Sequence, residues 1–174
     1  MEGLSAFGAA SVSVVFAVAA LGKITDRASF VRALRSQGLT SRWIRRATAV
    51  VIPTLELGCA IALWIPSLRR PAAIVAAVML TAFTLVLVRS ILTGVKADCG
   101  CFGSSTRDRV SWVSVVRNLV LIALALAAAV PETDGIGPPA AILAGIGAGV
   151  LVLVADLGAA VLARNWARPE QVGG

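Results

Sequence analysis

The chain has 174 residues, 58% of them hydrophobic and only 14% charged, with a formal net charge of +7 and a mean hydropathy of +0.89. A soluble domain carries about 25% charged residues, so the composition excludes an ordinary water-soluble domain and indicates an integral membrane protein, its partner the lipid bilayer. There is no histidine and no tyrosine, which excludes histidine general bases, histidine-ligated haem and His-rich zinc sites.

A spanning helix needs about 20 mostly apolar residues. The first such run covers residues 3–22 and carries no charge. A signal peptide is the rival reading, because Ala17-Val18-Ala19 resembles a cleavage site. Nothing basic precedes the run, as a secretory n-region requires, so a retained helix is favoured. Next comes a long basic stretch from Lys23 to Arg46. Within it residues 26–37 read as a short amphipathic helix, capped by Thr25 and stopped by Gly38. Phe30, Val31, Ala33 and Leu34 give it an apolar side, and Arg27, Arg32 and Arg35 a basic one. It is expected in the membrane interface, as an anchor or as a lid.

Four further apolar runs follow: 47–65, broken by Glu56; 71–88; 110–130, interrupted by Arg117 and Asn118; and 136–163, interrupted by Asp156. Each reads as apolar all round rather than striped. Trp43, Trp64, Trp112 and Trp166 fall at the ends of these runs, where amphipathic rings prefer the head-group level. The expected fold is a single all-α membrane domain over residues 1–163, a bundle of four to five transmembrane helices with one short interfacial helix between the first two. Residues 164–174 read as a disordered tail.

Lys and Arg counts in short loops set orientation. Lys23, Arg27, Arg32, Arg35, Arg42, Arg45 and Arg46, then Arg89, Lys96, Arg107 and Arg109, then Arg164 and Arg168, share one face of a five-helix chain. The other face holds Arg69 and Arg70, then Glu132 and Asp134. The count puts the basic face in the cytoplasm of a cell bounded by a bacterial inner membrane. The basic excess is read as contact with anionic head groups and not with nucleic acid, since no aromatic–basic interleaving accompanies it.

The stretch KADCGCFGSS, residues 96–105, sets Cys99 and Cys101 one residue apart in a polar loop. Gly100 permits a turn that brings the two Cβ atoms together. The small ring of such a disulfide is strained and easily reduced, a property of working rather than structural disulfides. Lys96, Arg107 and Arg109 favour the thiolate, while Asp98 opposes it. An inert pair and a metal site are the rival readings, but three cysteines cannot close a four-thiolate site. Cys59, within the second run, reads as a small apolar residue. Charges inside spans are costly and are functional candidates by default. Glu56, Arg117 and Asp156 qualify, with Arg117 expected to pair with Glu56 or Asp156 and Asn118 adding hydrogen bonds. The rival reading makes this cluster a proton relay or a holder for a quinone head group.

ALGKITD (20–26), PTLELG (53–58), DCGCFG (98–103) and VVRNLVLIALAL (115–126) together resemble the MauE-like, methylamine-utilisation branch of the DoxX-like membrane proteins. The resemblance implies a helical membrane bundle that handles disulfides or electrons beside a thioredoxin-like partner, in the maturation of a disulfide-containing protein such as an amine dehydrogenase subunit. It makes Cys99 and Cys101 the redox pair and Lys23, Glu56, Arg117 and Asn118 the family's polar positions. It suits an outward-facing site, whereas the charge count suits a cytoplasmic one. A non-catalytic assembly factor and a small transporter are the alternative functions.

Overall fold

The computed structural model describes residues 2–93, 112–130 and 138–166. All regular structure among them is helical: α1 (Glu2–Thr25), α2 (Arg27–Ser36), α3 (Arg42–Ala62), α4 (Pro66–Thr93), α5 (Trp112–Ala128) and α6 (Pro139–Trp166). The Cys99–Cys101 loop and residues 167–174 of the expected tail lie outside the described residues.

Four of the five apolar runs become helices longer than, or shifted from, the hydropathy windows. α1 continues past residue 22 through Lys23, α3 begins at Arg42 and ends at Ala62, and α4 occupies Pro66–Thr93 instead of 71–88. α6 starts at Pro139 and continues to Trp166, so residues 164–166 are helix and not tail. Where a helix extends beyond its window the reason is common: a charged residue lowers mean hydropathy without interrupting the backbone ladder. The run 110–130 instead yields a shorter helix, described from Trp112 to Ala128. α3 also departs from the all-round apolar expectation, because it turns Glu56 and Cys59 inward with Ala49, Pro53 and Ala60.

The short helix forms where expected, but its cap differs. Asp26, not Thr25, occupies the N-cap, its Oδ1 accepting from the Ser29 N–H at 3.0 Å. Thr25 still belongs to α1 and donates to the carbonyl of Leu21 at 2.8 Å. Gly38, at φ +92°, supplies the left-handed stop, and the Leu39 N–H returns to the Leu34 carbonyl at 3.2 Å. Phe30 and Ala33 face the bundle.

α1 is the central helix, and its partners follow from its small residues. Ser5 Oγ donates to the Ala128 carbonyl of α5 at 3.3 Å, Ser11 Oγ to the Gly145 carbonyl of α6 at 2.9 Å, and Ser13 Oγ to the Ala60 carbonyl of α3 at 2.8 Å. Trp64 Nε1 in turn donates to Ser13 Oγ at 2.8 Å. Ser5 near Ala128 and Ser13 near Ala60 make α1 antiparallel to α5 and α3, whereas Gly3 near Ala141 and Ser11 near Gly145 make it parallel to α6. The backbones come close: a Cβ at Gly8 would run into the carbonyl of Leu124, and one at Gly145 into the carbonyl of Phe7.

The interior is thus rich in alanine and serine, with Ala10, Ala20, Ala73, Ala76 and Ala125 almost wholly buried around a few large residues such as Val12, Phe16, Leu63 and Leu121. Many other large aliphatic side chains point outward, as Leu92 (74% exposed) and Leu151 (69% exposed) do. Gly3–Thr25 and Pro66–Thr93 are long and apolar enough to cross a bilayer, and Trp112–Ala128 and Pro139–Ala155 are shorter apolar helices. Small residues inside and aliphatic residues outside suit helices that associate by close packing in lipid. These features indicate a membrane protein.

The two kinds of glycine give opposite expectations. Gly8→Ala or Gly145→Ala should destabilise the bundle by about 1–3 kcal/mol through overpacking against a rigid backbone. Gly58, which has open space around its Cβ position, should tolerate alanine and gain about 0.5–1 kcal/mol of helix stability. Unfolding of the three variants in detergent checks both signs.

Candidate functional site

Lys23 occupies the last turn of α1 and Glu56 lies deep in α3. Helical side chains lean toward the helix N-terminus, so the Lys23 stem runs back along α1 and its Nζ approaches the Ala19 carbonyl at 3.4 Å. There it donates to both carboxylate oxygens of Glu56, at 2.7 and 2.9 Å. Each side chain is only 2% exposed. The ammonium also lies 5.7 Å from the ring centroids of Phe30 in α2 and Phe83 in α4, within range of cation–π attraction. One ammonium therefore touches parts of four helices.

The ion partner of Glu56 is thus Lys23, a residue that the loop count assigned to the basic face. With its charge buried and matched, Lys23 contributes nothing to that face. The same holds in part at the far end, where Arg69 is buried and its Nε donates to the Leu63 carbonyl at 3.3 Å.

Beside the ion pair is a cavity of about 30 Å³, lined by Val15, Phe16, Ala19, Lys23, Glu56, Leu80, Phe83, Arg117, Asn118 and Leu121. α5 supplies its polar wall: Asn118 is 3% exposed, and its Oδ1 accepts from Arg117 Nη2 at 3.3 Å. The remaining walls are mostly apolar. Such a volume holds one or two water molecules. Among the described residues no group of three or more His, Cys, Asp or Glu side chains is placed to hold a metal ion.

Four of the expected polar positions, Lys23, Glu56, Arg117 and Asn118, line this one cavity. Asp156 is carried by α6, and its side chain lies outside the described residues. So do Cys99 and Cys101, but the helix ends that bracket them, Thr93 and Trp112, can be located. Ser90, one turn before Thr93, donates through Oγ to Gln37 Oε1 at 3.0 Å. The end of α4 therefore lies beside the end of α2. Phe30 is read from sequence only as part of the apolar side of α2, and Phe83 is not distinguished there at all. Nothing in an apolar residue's identity distinguishes a ring over an ammonium from a ring against lipid. Cys59 is a buried free cysteine one turn from Glu56, packed in the apolar cluster with Ala60 and Leu63, as expected of a small apolar residue.

A buried charge left without its partner is strongly unfavourable. Lys23→Met alone and Glu56→Leu alone should each destabilise the protein by about 3–5 kcal/mol. The double variant should cost much less than the two added together. A double-mutant cycle by unfolding in detergent measures the coupling.

Residues 1–131 match the family described as methylamine utilisation protein MauE, a span that includes all four cavity polar residues and the CGC pair and stops short of α6. Among individual relatives, the methylamine utilization protein MauE of Paracoccus denitrificans is 37% identical over 145 residues, covering 83% of this chain and 75% of that protein. The one from Methylophilus methylotrophus is 36% identical over 152 residues, covering 85% and 80%. The one from Methylorubrum extorquens is 31% identical over 174 residues, covering 97% of this chain and 93% of that protein, so that match extends through α6. No solved structure matches. With three quarters of its length matched by the family and 31–37% identity to these relatives over 83–97% of the chain, the chain belongs to the MauE family.

Proposed function

We propose that this chain is a membrane thiol–disulfide redox protein of methylamine utilisation. In this reading Cys99 and Cys101 exchange electrons with a thioredoxin-like partner during maturation of a disulfide-containing amine dehydrogenase subunit. Membership of the MauE family, whose members are named for methylamine utilisation, supports the pathway. The observation that carries the site is that the CGC segment is tethered between α4 and α5. Those two helices bring Phe83, Arg117 and Asn118 to the buried Lys23–Glu56 pair.

The exchange balances as follows. The thiolate of one cysteine of the pair attacks a sulfur of the partner's disulfide. A mixed disulfide forms, and the partner's other sulfur leaves as a thiolate. The second cysteine, deprotonated, then attacks its neighbour's sulfur in the mixed disulfide. The CGC pair closes as a disulfide, and the partner departs as a dithiol carrying two electrons and two protons. The reverse sequence reduces the pair. The five long helices are read as spans of a bacterial inner membrane, with the CGC segment and the α2 end on its cytoplasmic side.

Labelling intact cells with a membrane-impermeant maleimide, before and after reduction, tests the reading. A pair that becomes reactive only after reduction, and that alternates with the partner's redox state, is the expected result. Reaction only after the cells are permeabilised is expected for the cytoplasmic side, and reaction from outside reverses the orientation. Cys99→Ser and Cys101→Ser should each abolish turnover, and the variant that keeps the attacking thiol should trap the mixed disulfide. A Cys99→Ser, Cys101→Ser double variant that still supports maturation overturns the redox assignment in favour of an assembly factor.

A further inference from the structure

The surface around α2 and the start of α3 carries a charge imbalance that the buried site does not absorb. Between Asp26 and Arg46 the only acidic residue is Asp26, and its carboxylate is occupied in capping α2. Arg27, Arg32, Arg35, Arg42 and Arg46 are all exposed. Arg45 behaves differently: its guanidinium folds inward and donates to the Leu39 carbonyl at 2.7 Å. It ties the turn after α2 to the first turn of α3, so that the arginines of both helices crowd one end of the bundle.

At the centre of this basic patch stands Trp43, 83% exposed. From Trp43 an apolar stripe runs along one side of α3 through Val50, Leu57 and Ile61, all exposed. These residues follow at intervals of seven, seven and four, which returns to the same helix face at 3.6 residues per turn. Thr54 lies on the same stripe and satisfies its hydroxyl internally, donating to the Val50 carbonyl at 2.8 Å, as a lipid-facing polar group must. Beyond Arg46 the stripe runs from Val50 to Ile61, about 17 Å along the helix, close to half of the ~30 Å hydrocarbon core of a bilayer.

We propose that the exposed arginines of α2 and the first turn of α3 form a binding site for an anionic phospholipid. The guanidiniums Arg32, Arg35, Arg42 and Arg46 take the phosphate, the Trp43 ring lies at the glycerol level, and an acyl chain follows Val50. Charge complementarity selects the anionic head group. The passage from arginines and tryptophan at the start of α3 to an aliphatic stripe about one leaflet deep selects a lipid over an acidic protein, which would leave the stripe uncovered. Because α2 seats Phe30 over Lys23, a lipid bound to its outer side also holds that helix onto the bundle.

Native mass spectrometry of the full chain, released from mixed phosphatidylglycerol and phosphatidylcholine vesicles, tests the site. Phosphatidylglycerol should remain bound at activation energies that strip phosphatidylcholine. Its preference should fall about fivefold for each arginine changed to glutamine among Arg32, Arg35, Arg42 and Arg46, given the usual contribution of one basic residue near an anionic surface. The corresponding Arg→Lys variants keep the charge and should keep most of the preference, which separates loss of the site from loss of the fold. Arg70→Gln, exposed at the other end of the bundle, should change nothing. Equal retention of the two lipids overturns the proposal. So does a preference that survives the fourfold Arg→Gln variant, or an acidic protein that co-purifies in stoichiometric amount and excludes phosphatidylglycerol.

Discussion

The ammonium of Lys23 and the carboxylate of Glu56 exist as charges inside this bundle only because each has the other. At 2.7 Å, with both side chains 2% exposed, neither is solvated by bulk water, and attraction at this distance is strong in a low-dielectric interior. That requirement fixes the register of α1 against α3. It also fixes α2, whose Phe30 ring stands over the ammonium, and α4, whose Phe83 ring stands over it at the same 5.7 Å. Apolar packing alone tolerates a helix sliding by a turn. A two-oxygen ion pair does not, because a slide of one turn separates the charges by about 5.4 Å.

The rest of the bundle is arranged so that backbones can approach closely around that point. In lipid there is little hydrophobic gain when one apolar helix meets another, so association rests on contact area and interhelical hydrogen bonds. α1 supplies both. Its glycine and alanine positions let α5 and α6 come near, and its three serines donate to carbonyls on α5, α6 and α3 in turn. The aliphatic bulk that would fill a soluble core is displaced to the outside. As a result a chain so rich in leucine and valine has an interior made mostly of alanine.

Much of this could be read from the sequence, and the failures have physical causes. Apolar runs located each long helix, because a span needs a certain length of hydrocarbon-compatible residues. They misplaced the ends, because Lys23, Arg42 and Arg69 belong to helices whose hydrogen-bond ladders are indifferent to side-chain charge. The polar positions were legible one by one, since a charge within an apolar run demands a reason. Their pairing was less so. Lys23 sits at the edge of its run, where a loop and a snorkelling side chain look alike, and only the fold turns it inward to Glu56. Arg117 and Asn118 did reach the same cavity as Glu56, as their place in the fourth run suggested. Asp26 displaced Thr25 as the cap by a single residue, a difference that hinges on where α1 releases the chain.

The separation of Lys23 from Glu56 in the chain also sets an order of biogenesis. The two residues are 33 positions apart, and during synthesis α1 emerges first. An isolated α1 entering a bilayer carries an unmatched ammonium near its end until α3 has been made. The stable unit for insertion is therefore not one helix but the α1–α2–α3 hairpin, closed by its own internal ion pair. Helix α4, which adds the Phe83 ring over the same ammonium, and helices α5 and α6 can join afterward against a template already in register.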